Sequence, residues 1–344
     1  MYRASMQYKS LGCVLLLTGV LAGLVLGAPA RAWATSYTFT IIHIPDSNIV
    51  PDALAINDAG QVAGSCDTDV PGGSYGFLFS HGSYTPIEMP GSYTTVVHGI
   101  NAAGQVVGDY TDATGRYGFL FSDGNYTTIE MPGSGGTFVR GINAAGQVVG
   151  SVGRAGFLWR DGNFTTLHVP GSLSTAPFDI NAASEVVGSY ANHPNDRSYG
   201  FLFSHGSYTT IDPPDSRTTV ARDINAAGQV VGDYADATGG HGFLFSHGSY
   251  TTIEVPGSRQ TLARGINDAG LVVGSYYADT TERYHGFLFS HGSYTTIDPP
   301  DSGDVFPLDI NGTGQVVGYY YHAMEDGSVR ILGFVATPVP TAPR

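Results

Sequence analysis

The stretch GFLFSHGSYTTI at residues 200–211 recurs at 242–253 and 286–297, and returns with one proline as GFLFSHGSYTPI at 76–87. GFLF is apolar at consecutive positions, which indicates a strand covered on both faces. The next dipeptide, His-Gly here and Asp-Gly at 123–124 and 161–162, is typical of a two-residue hairpin turn. YTTI suits a more exposed strand, because its polar threonines discourage pairing at a sheet edge. The stretch therefore predicts an antiparallel hairpin that the chain repeats.

A second recurring element is Ile-Asn in GINAAGQVVG and its variants. Its asparagines lie 38 to 44 residues apart, at Asn57, Asn101, Asn143, Asn181, Asn225, Asn267 and Asn311. A strand precedes each Ile-Asn, a constant turn and a QVVGDY-like strand follow it, and a variable loop leads to GFLF. Four antiparallel strands per repeat of this length predict the blades of a β-propeller. A β-solenoid is the alternative, but it needs parallel coils, and the tight hairpins argue against it.

The two ends of the chain carry complementary parts of one repeat. The last repeat stops at GFVATP (333–338) without its hairpin partner, and FTIIHIPDS (39–47) aligns with YTTIEMPGS (126–134). We therefore predict an all-β, seven-bladed β-propeller of four-stranded antiparallel blades, with the ring closed where residues 39–44 join 333–337. The predicted propeller spans 35–338, ahead of a short tail at 339–344. Its repeats lie near 48–89, 93–131, 135–169, 173–213, 217–255, 259–299 and 303–337.

The N-terminal segment predicts export. Arg3 and Lys9 form a basic flank, residues 11–27 are apolar, and APARAWA (28–34) offers small-residue cleavage sites after Ala32 or Ala34. We interpret residues 1–34 as a signal peptide, with an uncleaved membrane anchor as the alternative. The mature chain is then expected to be secreted, periplasmic or extracellular, without a membrane span and as a monomer. Its one cysteine, Cys66, leaves no intrachain disulfide.

Charge and motifs restrict the classes of function. The net charge is −14, and loss of Arg3, Lys9 and Arg31 with the signal peptide brings it to about −17. No lysine follows Lys9, which argues against nucleic acid or an anionic membrane as partner. H-E-x-x-H, a phosphate loop and a dinucleotide fingerprint are all absent from the sequence. No catalytic residue is assigned, and an enzyme is disfavoured without being excluded.

The repeats resemble the HAF-type extracellular repeats of bacteria over nearly all of residues 37–337. Those repeats are named for a His-Ala-Phe motif, which His241-Gly242-Phe243 and His285-Gly286-Phe287 approach with glycine in the second place. Other copies carry tyrosine in the first place, as at Tyr75. The resemblance implies an exported bacterial repeat protein whose function is unassigned.

Four cationic residues share one position in the repeat, two residues before the isoleucine of Ile-Asn. They are His98, Arg140, Arg222 and Arg264. Because this strand is expected to be innermost, they are candidate ligand-binding residues for an anion such as a sugar carboxylate or sulfate. The alternative is that each arginine pairs with a neighbouring acid such as Asp179, Asp223 or Asp309.

The variable loops supply the other candidates. Tyr276 and Tyr277 are candidate ligand-binding residues, since sugars stack on aromatic rings. Asp-Tyr-x-Asp-Ala-Thr-Gly at 109–115 and 233–239 allows a calcium interpretation, although it lacks the EF-hand register. No other cofactor or metal is expected, and we interpret the histidines of the His-Gly turns as turn residues. Each asparagine before a constant turn is expected to cap that turn.

The sequence favours a non-catalytic binding module that recognises a glycan, an extracellular polymer or a protein through its variable-loop face. Two alternatives remain. One is a structural or adhesion protein of the cell surface or matrix, and the other is a propeller-type enzyme that processes a polysaccharide or a lactone.

Overall fold

The structure is a computed structural model that describes residues 36–42, 48–67, 73–133, 135–193 and 197–339, with the side chains of 48–54 left out. The predicted signal peptide, residues 43 and 44 of the N-terminal strand and the tail beyond 339 lie outside the described residues. What is described is a succession of 28 β-strands. Within it, no helix is long and apolar enough to cross a membrane.

The strands take four recurring places in the repeat unit. First strands, which end at the isoleucine of Ile-Asn, are β2 Asn48–Ile56, β6 Thr94–Ile100, β10 Thr137–Ile142, β14 Ser174–Ile180, β18 Thr218–Ile224, β22 Ser258–Ile266 and β26 Val305–Ile310. Second strands are β3 Val62–Asp67, β7 Val106–Thr111, β11 Val148–Val152, β15 Val186–Ala191, β19 Val230–Ala235, β23 Val272–Ala278 and β27 Val316–Ala323.

Third strands hold the GFLF motif and its variants. They are β4 Ser74–Ser80, β8 Arg116–Ser122, β12 Ala155–Arg160, β16 Ser198–Ser204, β20 Gly240–Ser246, β24 Arg283–Ser290 and β28 Val329–Val339. Fourth strands are β5 Ser83–Ile87, β9 Asn125–Ile129, β13 Asn163–Leu167, β17 Ser207–Ile211, β21 Ser249–Ile253, β25 Ser293–Thr296 and, from the N-terminal end, β1 Ser36–Ile42.

Within each unit, neighbouring strands pair antiparallel in the order first, second, third, fourth. Three units form separate four-stranded sheets, and two eight-stranded sheets each hold two units. The units of an eight-stranded sheet are joined by one short parallel contact, Ser74 with Thr94 in one sheet and Gly240 with Gln260 in the other. The four-stranded antiparallel unit predicted from the repeats is therefore the building block of the structure.

The two ends of the described chain pair with each other. β1 runs antiparallel to β28, with Phe39 opposite Ala336 and Ile42 opposite Gly333. β1 thus occupies the fourth place in the sheet that β26, β27 and β28 begin.

The core lies between neighbouring units and is built on the phenylalanine of the Gly-Phe motif. These rings are fully buried at Phe77, Phe119, Phe157, Phe201, Phe243, Phe287 and Phe334. Each contributes about 1.5–3 kcal/mol relative to an exposed side chain. The glycine before the ring lets the next unit approach, since a Cβ on Gly76 would lie 2.6 Å from the Val97 side chain. One motif per unit therefore recurs because each unit packs on a similar neighbour.

The turn chemistry predicted from the sequence is confirmed. His81 and Gly82 have φ of 49° and 79°, and Asp123 and Gly124 have φ of 51° and 78°. Two consecutive positive φ values are the requirement of the two-residue hairpin turn. The strands that follow these turns are mostly exposed and end in a buried isoleucine, as in β9 and β17.

Candidate functional site

The first strands of the units meet one another around a central space. Each contacts the first strand of the next unit, and β26 contacts β2. Because the strands of a unit alternate in direction, the Asn turns and the His/Asp-Gly turns lie on one side of the molecule. The variable loops lie on the other side, where the first strands begin.

Every first strand departs from regular pairing two residues before its isoleucine. The pairing of β10 skips from Val139 to Gly141, and that of β18 skips from Ala221 to Asp223. A bulge of this kind redirects the side chain of the skipped residue, and bulges are frequent beside functional sites. The skipped residues His98, Arg140, Phe178, Arg222, Arg264 and Leu308 all line one cavity of about 280 Å³.

The structure thus brings the four predicted cationic residues together from four units. We call this space, lined by His98, Arg140, Arg222 and Arg264, the cationic cavity. It lies on the variable-loop side of the Asn turns, because its residues precede those turns along the first strands.

Two of the four cationic residues have carboxylate partners on the adjacent second strand. His98 Nε2 lies 2.8 Å from Asp109 Oδ1, and that carboxylate, only 2 % exposed, also binds Arg116. Arg222 binds Asp233, with Nη2 3.2 Å from Oδ2. The alternative that an arginine pairs with an acid therefore holds for Arg222, although the acid is Asp233 across the strand pair and not Asp179, Asp223 or Asp309.

The other two units carry serine where these aspartates stand. Asp109 and Asp233 directly follow the glycine of the VVG run, and the corresponding residues are Ser151 and Ser275. Ser151 belongs to the unit of Arg140, and Ser275 to that of Arg264. Arg140 is exposed, and none of the ion pairs found in the described ranges involves it. Its positive charge at the cavity therefore has no carboxylate partner there.

A layer of carboxyl groups lies one residue further along three of the first strands. Each accepts the backbone amide of a following unit: Asp179 from Ile224 N at 3.2 Å, Asp223 from Ile266 N at 2.7 Å and Asp309 from Ile56 N at 2.9 Å. Glycine makes room for this layer, since a Cβ on Gly141 would lie 3.0 Å from Asp179 Oδ1. These aspartates bridge units.

Two carboxyl groups of this layer, those of Asp223 and Asp309, favour the protonated form. Burial, and then the charge of Asp179, raise the pKa of Asp223 well above its usual value. Burial raises the pKa of Asp309 to about 6, although the amides of Ile56 and Ile310 act against this rise. A protonated carboxyl group in a cavity can donate a hydrogen bond or a proton at neutral or mildly acidic pH.

A ring of asparagines forms the next layer, on the side of the constant turns. Each side-chain amide donates to the backbone carbonyl of the next unit's asparagine at 2.9–3.1 Å, in the order Asn57, Asn101, Asn143, Asn181, Asn225, Asn267, Asn311 and back to Asn57. Their Oδ1 atoms accept amides of their own turns, as in Ala145 and Gln147 with Asn143. The predicted turn cap is confirmed, and the bond between units is an addition that local sequence did not indicate.

The predicted tyrosines lie outside the cationic cavity, at the variable-loop end of β23. Tyr276 stacks on His285 with ring centroids 5.4 Å apart. Tyr277 meets Tyr284 edge to face at 5.2 Å. His285 is held from both sides, by Asp298 at 2.6 Å on Nδ1 and by Thr281 at 2.6 Å on Nε2. The structure therefore separates the two predicted sets of ligand-binding residues.

The two Asp-Ala-Thr-Gly loops are closed by their own hydrogen bonds. Asp112 Oδ1 accepts Thr114 N at 2.7 Å, Thr114 Oγ1 at 2.6 Å and Gly115 N at 3.1 Å. These bonds lower the pKa of Asp112, chiefly through the threonine side chain. Within the described ranges, no group of three or more His, Cys, Asp or Glu has metal-binding geometry. Turn capping thus accounts for this motif, and calcium remains a prediction.

Comparison with solved structures gives the fold. The chain resembles a virginiamycin B lyase from Staphylococcus aureus, with a TM-score of 0.55 and 12% identity over 88% of this chain and 100% of that one. It also resembles the β-propeller domain of the Trilobed protease from Pyrococcus furiosus, with a TM-score of 0.55 and 12% identity over 79% of this chain and 93% of that one. The chain is a β-propeller.

A third similar structure is YCF48 bound to D1 peptide, with a TM-score of 0.52 and 9% identity over 88% of this chain and 97% of that one. At such identities the likeness extends to the fold and no further. No family model matches the chain, and no curated protein matches it. The residues that indicate a function are therefore the propeller's own, above all those of its central cavity.

Proposed function

We propose that this propeller is a non-catalytic binding module that holds an anionic ligand in the cationic cavity. The ligand class is an acidic glycan or other extracellular polymer, or an acidic segment of a protein. The convergence of four cationic residues from four units at the variable-loop face carries this proposal. In a chain with only 15 arginines and lysines and a net charge of −14, three arginines in one cavity are a local concentration of positive charge. Asp179, Asp223 and Asp309 line the same cavity, and the raised pKa of Asp223 and of Asp309 favours their neutral form.

The residues differ in how much charge they can offer a ligand. His98 is paired with Asp109 and Arg222 with Asp233, so these two pairs help to form the walls of the cavity but add little net charge to it. Arg140 is exposed at the cavity and takes part in none of the ion pairs found in the described ranges. A guanidinium group presents parallel N–H donors that match carboxylate and sulfate oxygens. We therefore assign Arg140 to the anion, together with Arg264, which lines the same cavity.

A glycan array probed with purified residues 35–344, with and without calcium, tests the proposal. We expect acidic glycans to bind, and the R140A/R264A variant to bind about 10- to 100-fold more weakly, as for loss of hydrogen bonds to a charged group. Arg160→Ala is the matched control, because Arg160 is 65 % exposed and lies on the side of the constant turns. Equal binding by R140A/R264A and the wild type would refute the assignment. A blank array with self-association in sedimentation would favour the structural or adhesion alternative.

We further infer that seven four-stranded blades close into one ring through the N-terminal strand. Support comes from the pairing of β1 with β28 and from the asparagine amide bonds, which return from Asn311 to Asn57. A T38C/T337C variant tests this inference, because these residues face each other across the two strands. Formation of the disulfide without loss of stability is expected, whereas failure to oxidise in the folded protein would contradict closure.

We also propose that the protein is an exported bacterial repeat protein of the HAF type and acts as a monomer. Support comes from the basic and apolar N-terminal segment and from the repeat motif itself. N-terminal sequencing of the exported protein should find Trp33 or Thr35 as the first residue. An intact N-terminus in the membrane fraction would favour the anchor alternative.

A second candidate function is that of an enzyme which processes an acidic polysaccharide or a lactone. The observation that favours it is the presence of Asp223 and Asp309, both with raised pKa, in the cavity that the arginines line. A protonated carboxyl beside a bound anionic sugar can serve as a general acid. Turnover of a bound glycan that is lost in Asp223→Asn, with binding retained, would establish this function over simple binding.

A further inference from the structure

Five aromatic side chains form one connected surface beside the cationic cavity. We call the set of Tyr277, Tyr284, Phe306, Tyr319 and Tyr321 the aromatic shelf. Tyr284 lies 5.2 Å from both Tyr277 and Phe306, and Phe306 stacks on Tyr319 at 4.9 Å and meets Tyr321 at 6.2 Å. All five are half-buried, so each ring is fixed by packing and still reaches the surface.

The shelf forms where the last unit has apolar and aromatic residues at two positions that hold an ion pair in two other units. Where two units have Arg222 with Asp233 and His98 with Asp109, the last unit has Leu308 with Tyr319. Leu308 and Tyr319 both pack against the core of the adjoining unit. One side of the propeller's mouth is therefore cationic, and the side formed by β26 and β27 is apolar and aromatic.

Two observations join the shelf to the cationic cavity. Phe306 and Leu308 lie two residues apart on β26, and Leu308 lines that cavity. Tyr284 donates its hydroxyl hydrogen to Gln260 Oε1 at 2.7 Å, and Gln260 is on β22 together with Arg264. Burial raises the pKa of Tyr284, as do the charges of Asp304 and Tyr277, and the charge of Arg264 opposes this rise.

We propose that the aromatic shelf is a stacking subsite for a sugar ring of a uronate polysaccharide whose carboxylate lies in the cationic cavity. This inference rests on the proposed function, because it needs an anionic group at Arg140 and Arg264. A pyranose ring has an apolar C–H face that packs on an aromatic ring and hydroxyl groups that the tyrosine edges can bind. The planar carboxylate of a uronate matches the guanidinium fork, and this charge complementarity selects an acidic sugar chain.

Titration calorimetry with a galacturonate oligomer, a neutral galactose oligomer of equal length and a sulfated one tests the shelf. We expect Tyr277→Ala and Tyr321→Ala each to weaken galacturonate binding about tenfold, since a ring contact contributes about 0.5–1.5 kcal/mol beyond its area. Tyr277→Phe should bind like the wild type. Tyr93→Ala is the matched control, because Tyr93 is 63 % exposed on the same face in a different unit. Thermal unfolding of each variant checks that the fold is retained.

The outcomes separate the shelf from the anion site. If galacturonate binds more weakly to R140A/R264A but equally well to both tyrosine variants, the proposed stacking subsite is wrong and the proposed anion-binding function still holds. Neutral and acidic oligomers that bind equally, with loss in the tyrosine variants, overturn the anion site and support the shelf. Tighter binding of the sulfated oligomer than of galacturonate overturns the choice of a uronate. Loss in Tyr93→Ala equal to that in Tyr277→Ala overturns the location of the subsite.

Discussion

Replacement of one asparagine in the central ring should destabilise the propeller strongly. Asn143 is 4 % exposed and uses all four of its side-chain hydrogen bonds: Nδ2 to Gln147 Oε1 at 2.7 Å and to Asn181 O at 3.0 Å, and Oδ1 from Ala145 N and Gln147 N. A hydrogen bond contributes about 0.5–1.5 kcal/mol net, and an abandoned buried partner costs more. Since water can reach some of these groups from the adjoining cavity, we expect Asn143→Ala to lower the free energy of unfolding by about 2–4 kcal/mol.

Urea unfolding followed by tryptophan fluorescence measures this change. The matched control is Asn163→Ala, because Asn163 is exposed and its side chain makes one bond, to Asp161 O at 3.2 Å. Its effect should stay within about 0.5 kcal/mol. Asn143→Asp adds a second test: an ionised carboxylate cannot donate to Asn181 O, so between pH 4 and pH 7 this variant should lose more stability than the wild type does. If the free energy of unfolding of Asn143→Ala lies within about 0.5 kcal/mol of that of the wild type, the hydrogen bonds of the asparagine ring do not hold the units together.

Three further predictions concern the same central layers. Burial raises the pKa of Asp309 from 3.8 to about 6, so the protonated Asp309 carboxyl group stabilises the folded protein fully below pH 4, and this stabilisation is lost as the pH rises through 6. The loss in the free energy of unfolding is about 3 kcal/mol at most. Asp309→Asn should make stability less dependent on pH over this range. Gly150→Ala should lower the free energy of unfolding by more than about 2 kcal/mol, because its Cβ would lie 2.0 Å from Phe138 O. Gly99→Ala should lower it by less than about 1 kcal/mol, because the nearest atom to its Cβ would be 3.5 Å away. Thermal unfolding compares the two variants. Arg222→Ala should lower the unfolding temperature because it abandons Asp233, and Arg140→Ala should leave it unchanged.

The parts of the fold that could be predicted from the sequence are those encoded by motifs that recur in the repeats. His81-Gly82 and Asp123-Gly124 adopt the expected hairpin turns, because glycine and a short polar or ring side chain tolerate positive φ. The buried phenylalanine of Gly-Phe marks the third strand in each unit. Comparison of the repeats also brought His98 and the three arginines together, because equivalent positions in packed units converge on one axis.

The parts that the sequence did not indicate depend on contacts between strands or between units. The bulges at Arg140 and Arg222 could not be predicted from the amino-acid sequence, because the same residues could pair regularly with the next strand or leave one residue unpaired. The acids named as alternative partners of the arginines did not include Asp233, which binds Arg222 from the neighbouring strand, eleven positions later in the sequence. The sequence indicated Tyr277 of the aromatic shelf but not the contacts that join it to Tyr284 and Phe306, because the shelf spans β23, β24, β26 and β27 and appears in no single repeat.

The pairing of β1 with β28 also determines the order of events when the chain folds. Thr38 and Thr337, which meet across these strands, are 299 residues apart, whereas the asparagine bonds between consecutive units span about 40 residues. A chain that emerges from its N-terminus therefore presents β1 first and completes its sheet last. Until then β1 has an open edge that another chain can occupy. Contacts this distant in sequence slow folding, so a circular permutant in which β28 leads directly into β1 should fold faster and aggregate less.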